Sequence, residues 1–397
     1  MHFMPMDVVE LTQRLVQIPS VNPMGHAVDQ PEIQLEHRVT DFLEAFFREL
    51  GLAYERSEVA PGRDNIVGCL PGTSDKTIVL EAHQDTVPID GMTVEPFGGK
   101  QVGNRIYGRG ACDIKGGMAM ALTVLSRLQE NPSENQPTIL VACTVNEECG
   151  FTGARHLAQQ WASGQSKLVS GLPDAVFVAE PTEMHVVVSH KGVIRWRCHT
   201  QGQAAHSSRP AVGDNAIYRM GTVLAAIREY EQTVLNQQAE VGALGKASIS
   251  VGTIQGGVSV NTVPDGCTIE IDRRVLPGES QEAIRQEVID FIAARVDDPA
   301  KVIHDPPYMS SPGLPLSDAN QALAQRITDV ASTFGVTSQH HQVAYGTDSP
   351  AFYAIGVPSV VYGPGSLLQA HTKDEFIEVE QLYQATDILE AVCRSYS

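Results

Sequence analysis

The stretch Thr77–Pro88, TIVLEAHQDTVP, decides the fold. Its first four residues are β-branched or aliphatic with no polar alternate, which is the composition of a strand buried on both faces, and such strands belong to parallel sheets with helices on either side. Ligands in open sheets of this kind bind just beyond the carboxyl ends of the strands. Here the run ends in His83 and Asp85. Two residues apart on an extended chain, these side chains can point the same way, so the Asp85 carboxylate is expected to hold one imidazole nitrogen while the other binds a metal. A capped strand end with two solvated polar residues fits the same stretch equally well, and the rest of the chain has to decide.

Outward from it, helical and strand patterns alternate. Apolar residues recur at helical spacing over 8–16 and 34–50, with Gly51 as a stop, and strands are expected at 65–70, 77–80, 138–145 and 174–179. A helix rich in small residues spans 116–129. This alternation implies an α/β fold, a doubly wound and mostly parallel sheet. Near Val186 the texture changes: 193–200 and 267–273 alternate apolar with polar residues, as half-exposed antiparallel strands do. Helices at about 215–235 and 280–296 complete a strand, helix, two strands, helix, strand order, the split βαβ pattern of a small ferredoxin-like α+β domain. Residues 187–301 are therefore expected to be inserted, as a lid or dimerisation domain, into a catalytic domain built from 1–186 and 302–397.

Composition narrows the function classes. A chain of 397 residues, 42% hydrophobic and 19% charged, has an ordinary globular balance. Its formal net charge of -19 argues against nucleic acid or an anionic membrane as partner, since both bind through lysine and arginine. The seven cysteines are scattered rather than paired in CxxC motifs and are expected to be reduced and mostly buried. Residues 1–7 lack a basic, apolar leader pattern and no run reaches membrane-spanning length, so a cytoplasmic protein is expected.

Four further segments repeat the pattern of the first. Asp113 lies among glycines in YGRGACDIKGGMAMA, Glu147 and Glu148 end TILVACTVNEE, Glu180 ends DAVFVAEPT, and His371 lies in GPGSLLQAHTKDE beyond PSVVYG. Each is expected to follow a buried strand. The glycines before the helix could cradle a phosphate, but neither GK[ST] nor GxGxxG is present. His83, Asp113, Glu148, Glu180 and His371 together offer two imidazoles and three carboxylates, a set suited to zinc and similar divalent ions rather than calcium. Three neighbouring carboxylates repel one another unless cations neutralise them, which favours two metals, with Asp113 as the bridge.

The segments HQDTVP, GRGACDIKGG, NEECGFTGA, AEPT, AHSSRP with GDNAI, NTVPD, and GTDSPAF with AHTKDE resemble the M20 metallopeptidases in order and over essentially the whole chain. The resemblance implies that His83 and Glu180 hold one zinc, that Glu148 and His371 hold the other, and that Asp113 bridges them; cobalt or manganese could replace zinc. It also implies that Asp85 orients His83, and that Glu147 acts as general base toward a water whose pKa is lowered by metals about 3.5 to 4 Å apart. His206 is similar to a histidine that donates to the carbonyl oxygen of a substrate held by the neighbouring subunit of a homodimer formed through the inserted domain. Asn261, Gly346 and an arginine match substrate-binding positions. Of Arg273 and Arg274, alternation favours Arg274, which shares a face with Thr268, Glu270 and Asp272. The implied activity is hydrolysis of an N-acyl amino acid, of the deacetylase or desuccinylase kind. A metallo-carboxypeptidase or dipeptidase is the alternative, and a non-catalytic metal-binding relic a more remote one.

Overall fold

The computed structural model describes residues 7–396, so the segment 1–6, on which the leader expectation falls, lies outside the described residues. Two compact units emerge: one from the residues up to Val188 together with Leu316–His341 and the residues from Thr347 on, the other from Ser189–Pro315 with Gln342–Gly346.

The first unit is built on an eight-stranded sheet in the order Ala53–Ala60, Arg63–Leu70, Thr138–Thr144, Thr77–His83, Ala175–Val178, Ser359–Val361, Val186–His190, His340–Val343. Its centre is parallel: Thr77–His83 pairs in parallel with both Thr138–Thr144 and Ala175–Val178, and Ser359–Val361 extends the run. Antiparallel strands flank it. The apolar run quoted above is buried on both faces as its composition requires, from Ile78 to His83 without interruption. Ile78 and Leu80 enter a core shared with Leu11, Leu43, Phe47, Met118, Leu122 and Leu389 from the helices Val8–Val16, His37–Glu49, Gly116–Glu130 and Val379–Ser395. Helices Thr152–Ala162 and Ser349–Tyr353 serve the remaining strand faces, with the rings of Trp161 and Phe352 5.5 Å apart.

The helix expected from residue 34 starts at His37, because Gln34 spends its side chain on local contacts with Asp29 and Gln30, and it stops before Gly51 at φ +69°. The Gly-Gly pair opening Gly116–Glu130 has a steric reason: a Cβ on Gly117 would lie 2.5 Å from the Ala179 carbonyl oxygen, so only glycine lets this helix settle beside the strand end that carries Glu180. Among the described residues no helix is long and apolar enough to cross a membrane. All seven cysteines are buried and none is joined in a disulfide.

The second unit has the strand order Ser248–Gly256, Gly266–Val275, Gly192–Gln201, Val302–His304, antiparallel throughout. Helices Ala216–Thr233 and Gln281–Ala293, capped by Asn215 and Ser280, cover one face around Trp196, Met220, Tyr230, Ile269, Ile271 and Val288. The other face carries a ladder of partly buried charges, Arg195 to Asp272 at 2.7 Å and Arg197 to Glu270 at 2.9 Å. Ser248–Gly256 forms an edge of this sheet.

Candidate metal centre

Parallel pairing brings the carboxyl ends of the central strands to one edge. His83 is the last residue of its strand, opposite Thr144 at the end of the next, and Glu147 and Glu148 come three and four residues after Thr144. Glu180 follows Ala175–Val178, and His371 comes ten residues past Ser359–Val361 at φ +61°. Asp113 departs from the expected pattern. The strand before it, Arg105–Tyr107, belongs to a separate three-stranded sheet and is only partly buried, so Asp113 arrives on the turn Ala111–Lys115 rather than at a core strand's end.

The donor atoms fall into two overlapping groups. His83, Asp113 and Glu180 have donor atoms all within 4.8 Å of one another, as do Asp113, Glu148 and His371. Asp113 belongs to both: its Oδ1 is 3.2 Å from His83 Nε2 and its Oδ2 3.2 Å from His371 Nε2. Glu180 lies 3.7 Å from His83, and Glu148 3.3 Å from His371. A third group joins His83, Glu147 and Glu148, so Glu147 is close enough to be counted with the donors as well.

Charge in this cluster is unbalanced. Burial and then the neighbouring carboxylates push the carboxyl groups of Glu147 and Glu180 well up and that of Glu148 up, partly offset by the imidazoles. Burial disfavours a charged His371, yet Asp113 and Glu148 outweigh it and push its pKa up to about 11. His83 is raised well above its ordinary value in the same way, chiefly by Asp113 and then Asp85 against burial. A donor set of buried carboxylates around two imidazoles, with one carboxylate shared between two triads, fits a pair of divalent ions of the zinc type.

Asp85 plays a different part from the one its spacing suggests. Its carboxylate stands 3.7 Å from His83 Nδ1, and it is the Asp85 backbone carbonyl, at 2.9 Å, that accepts from that nitrogen. The carboxylate instead receives the backbone N–H groups of Glu147 and Glu148, each at 3.1 Å, and the Asn22 amide at 2.7 Å. Burial alone would raise the pKa of this group, but His83 and then Arg63 reverse the effect and bring it down to about 2, a charged acceptor for both amides.

The remaining expected site residues lie in the second unit. His206 and Asn261 come together on a short antiparallel ladder where His206 pairs with Thr262 and Ser207 N donates to the Asn261 carbonyl at 3.0 Å. Both are exposed. Arg274 is on the charged face, its guanidinium 2.8 Å from Asp272, while Arg273 is fully buried on the helix side. Gly346 is half-buried. Inspection of the sequence missed Asn22, which holds Asp85; Glu375, four residues after His371; and the acidic pair Glu81 and Asp348, both within 3.0 Å of the Thr144 hydroxyl. Glu375 and Asp348 stood in segments already singled out for other residues, and nothing in their spacing announced their partners.

The sequence matches the model of peptidase family M20/M25/M40 over residues 79–395. It is 27% identical over 396 residues to an acetylornithine deacetylase of Vibrio campbellii, with 98% of each chain covered. The fold is similar to that of a dipeptidase from Saccharomyces cerevisiae, with a TM-score of 0.79 at 15% identity over 98% of this chain and 95% of that one. It is also similar to a dinuclear metal-binding peptidase of the M20 family from Bacillus subtilis, with a TM-score of 0.64 at 17% identity, covering 98% and 96%.

Proposed function

This chain belongs to peptidase family M20/M25/M40, hydrolases of amide bonds, and from that premise we propose that it is a di-metal amidohydrolase that removes the acyl group of an N-acyl amino acid. The observation that carries the reading is the sharing of Asp113 between two donor triads. His83 and Glu180 would hold one ion and Glu148 and His371 the other, zinc first and cobalt or manganese as alternatives. Ions bound there would supply Lewis acidity, bringing the pKa of a bound water down toward about 7 and polarising a carbonyl group.

The chain's own groups do the rest. Glu147, raised in pKa by burial, is the proton carrier: it accepts a proton from the attacking water and returns it to the departing amine. Asp85 fixes the Glu147–Glu148 backbone, and so sets where base and ligand point relative to each other. From the second unit, His206 would donate to the carbonyl oxygen of a substrate held by the neighbouring subunit, and Asn261 and Arg274 would receive a substrate carboxylate, Arg274 through its planar fork, with Gly346 lining that pocket. The exposed strand edge Ser248–Gly256 and the exposure of Ile254, Val258 and Val260 support a homodimer formed through this unit.

The same chemistry cleaves peptides, and a structural neighbour named as a dipeptidase makes that the second reading. A screen of N-acetyl, N-succinyl and N-formyl amino acids against dipeptides, with zinc or cobalt added, separates the two. Turnover of acyl amino acids supports the proposal; cleavage of dipeptides alone would replace it.

A further inference from the structure

Asp85 is one of two buried carboxylates that each grip a pair of consecutive backbone amides beneath the cluster. The other is Glu375. It is fully buried, and its Oε1 accepts from Cys112 N at 2.9 Å and Asp113 N at 3.0 Å. Its Oε2 takes Arg109 Nη1 at 2.5 Å, and Arg109, itself 3% exposed, donates through Nε to the Pro88 carbonyl at 3.1 Å. Glu375 is brought here by the strand that follows it, in which Phe376 pairs with Tyr107.

Three loops therefore meet on one ion pair: Glu375 is four residues past His371, Arg109 four before Asp113, and Pro88 five past His83. A buried ion pair is weak evidence of a stabilising role, because apolar residues of the same volume usually hold a fold as well. What apolar residues cannot do is hold two amide groups by charge-assisted hydrogen bonds. The amides held are those of Asp113 and its neighbour, and Asp113 is the residue common to both donor triads.

We propose that the Arg109–Glu375 pair is a positioning device for the metal centre, one that sets the approach of Asp113 to both ions by tying the Asp113, His371 and His83 loops together. This rests on the di-metal reading above, and on no titration of the pair. Neither residue touches the ions or the substrate.

The test uses the full chain loaded with cobalt, with affinity measured by chelator competition and geometry by the visible ligand-field spectrum. Glu375→Ala should weaken cobalt binding by about 10- to 100-fold, the usual cost of losing a group that orients a ligand, and should change the spectrum. Glu375→Gln, which keeps an oxygen for the two amides, should fall between Glu375→Ala and wild type, and Arg109→Met should also weaken binding. Glu378→Gln is the control, since Glu378 lies three residues on, is only partly buried and its carboxylate makes a 3.7 Å pair with Arg105. Melting of the metal-free forms is followed separately. Variants that melt earlier but keep wild-type affinity and spectrum overturn the proposal and leave the pair a structural one. Should Glu375→Ala fail to fold, Glu375→Gln and Arg109→Met decide by the same criterion. A wild-type chain that binds no cobalt sinks the metal reading and this one together, whereas wild-type binding with unaltered variants sinks this one alone.

Discussion

Both units carry carboxylates close together, and they balance them in opposite ways. On the open face of the second unit Asp272 meets Arg195 of the neighbouring strand and Arg274 of its own, and Glu270 meets Arg197 of the neighbouring strand, all partly in solvent. In the cluster of the first unit Asp113, Glu147, Glu148 and Glu180 crowd around two imidazoles, all but His371 buried. The first arrangement is self-sufficient and needs nothing from outside the chain. The second pushes the carboxyl groups of Glu147, Glu148 and Glu180 up in pKa while its imidazoles hold that of Asp113 down, the kind of perturbed cluster that marks a candidate functional site.

If that contrast is right, the two regions must answer mutation differently. The largest effect is expected from His83→Ala or His371→Ala, which should lose bound metal, as elemental analysis would register, and lose turnover with it. Metal content unchanged in both variants would mean that the cluster is not the binding site. Glu147→Gln should lower kcat by about a hundredfold to ten-thousandfold, the range for a lost general base, while metal content stays near wild type. Its membership of a third donor group sharpens this measurement: if metal vanishes as well, Glu147 is a ligand and the division of labour with Glu148 is wrong.

In the second unit the effects should shrink. Arg274→Ala should raise KM for substrates with a free α-carboxylate by an amount worth about 2 kcal/mol and leave esterified analogues nearly unchanged; equal losses for both would make Arg274 structural. Arg273 is its opposite, fully buried with Nε and Nη2 lacking a hydrogen-bond partner among the described residues. Although Nη1 donates to the Arg274 carbonyl, Arg273→Met should therefore raise the melting temperature, by the equivalent of about 1 kcal/mol, since a buried guanidinium with two unsatisfied nitrogens is costly and a flexible apolar chain of similar length fills its place. A lower melting temperature would show the guanidinium to be needed. Smallest of all, Arg197→Met on the charged ladder should change stability by less than about 1 kcal/mol, as exposed pairs do.

What could be read from the sequence was whatever periodicity encodes. Thr77–His83 is a two-sided buried strand because its residues have no polar alternate, and Gly192–Gln201 and Gly266–Val275 are one-sided because theirs do. The same alternation told Arg274 from Arg273. The ligand-type residues were legible because four of them stand near the ends of such strands. Asp113 was legible only through its glycines and its resemblance, having no core strand before it. What spacing cannot encode is which atom of a residue does the holding. Asp85 was expected to reach His83 by its carboxylate and does so by its carbonyl, because the chain turns after His83 and delivers the side chain to the amides of Glu147 and Glu148. Glu375 was invisible for a related reason: its partners are backbone amides some 260 residues earlier, which carry no side-chain identity to notice.

The central claim is that the unbalanced cluster is completed by two divalent ions and that hydrolysis depends on them. It is tested most directly by stripping the chain of metal, verifying removal by elemental analysis, and titrating zinc back while following N-acyl amino acid hydrolysis. The account predicts no activity in the stripped protein and recovery that saturates by two equivalents per chain. Undiminished hydrolysis by protein verified to be free of metal would contradict it.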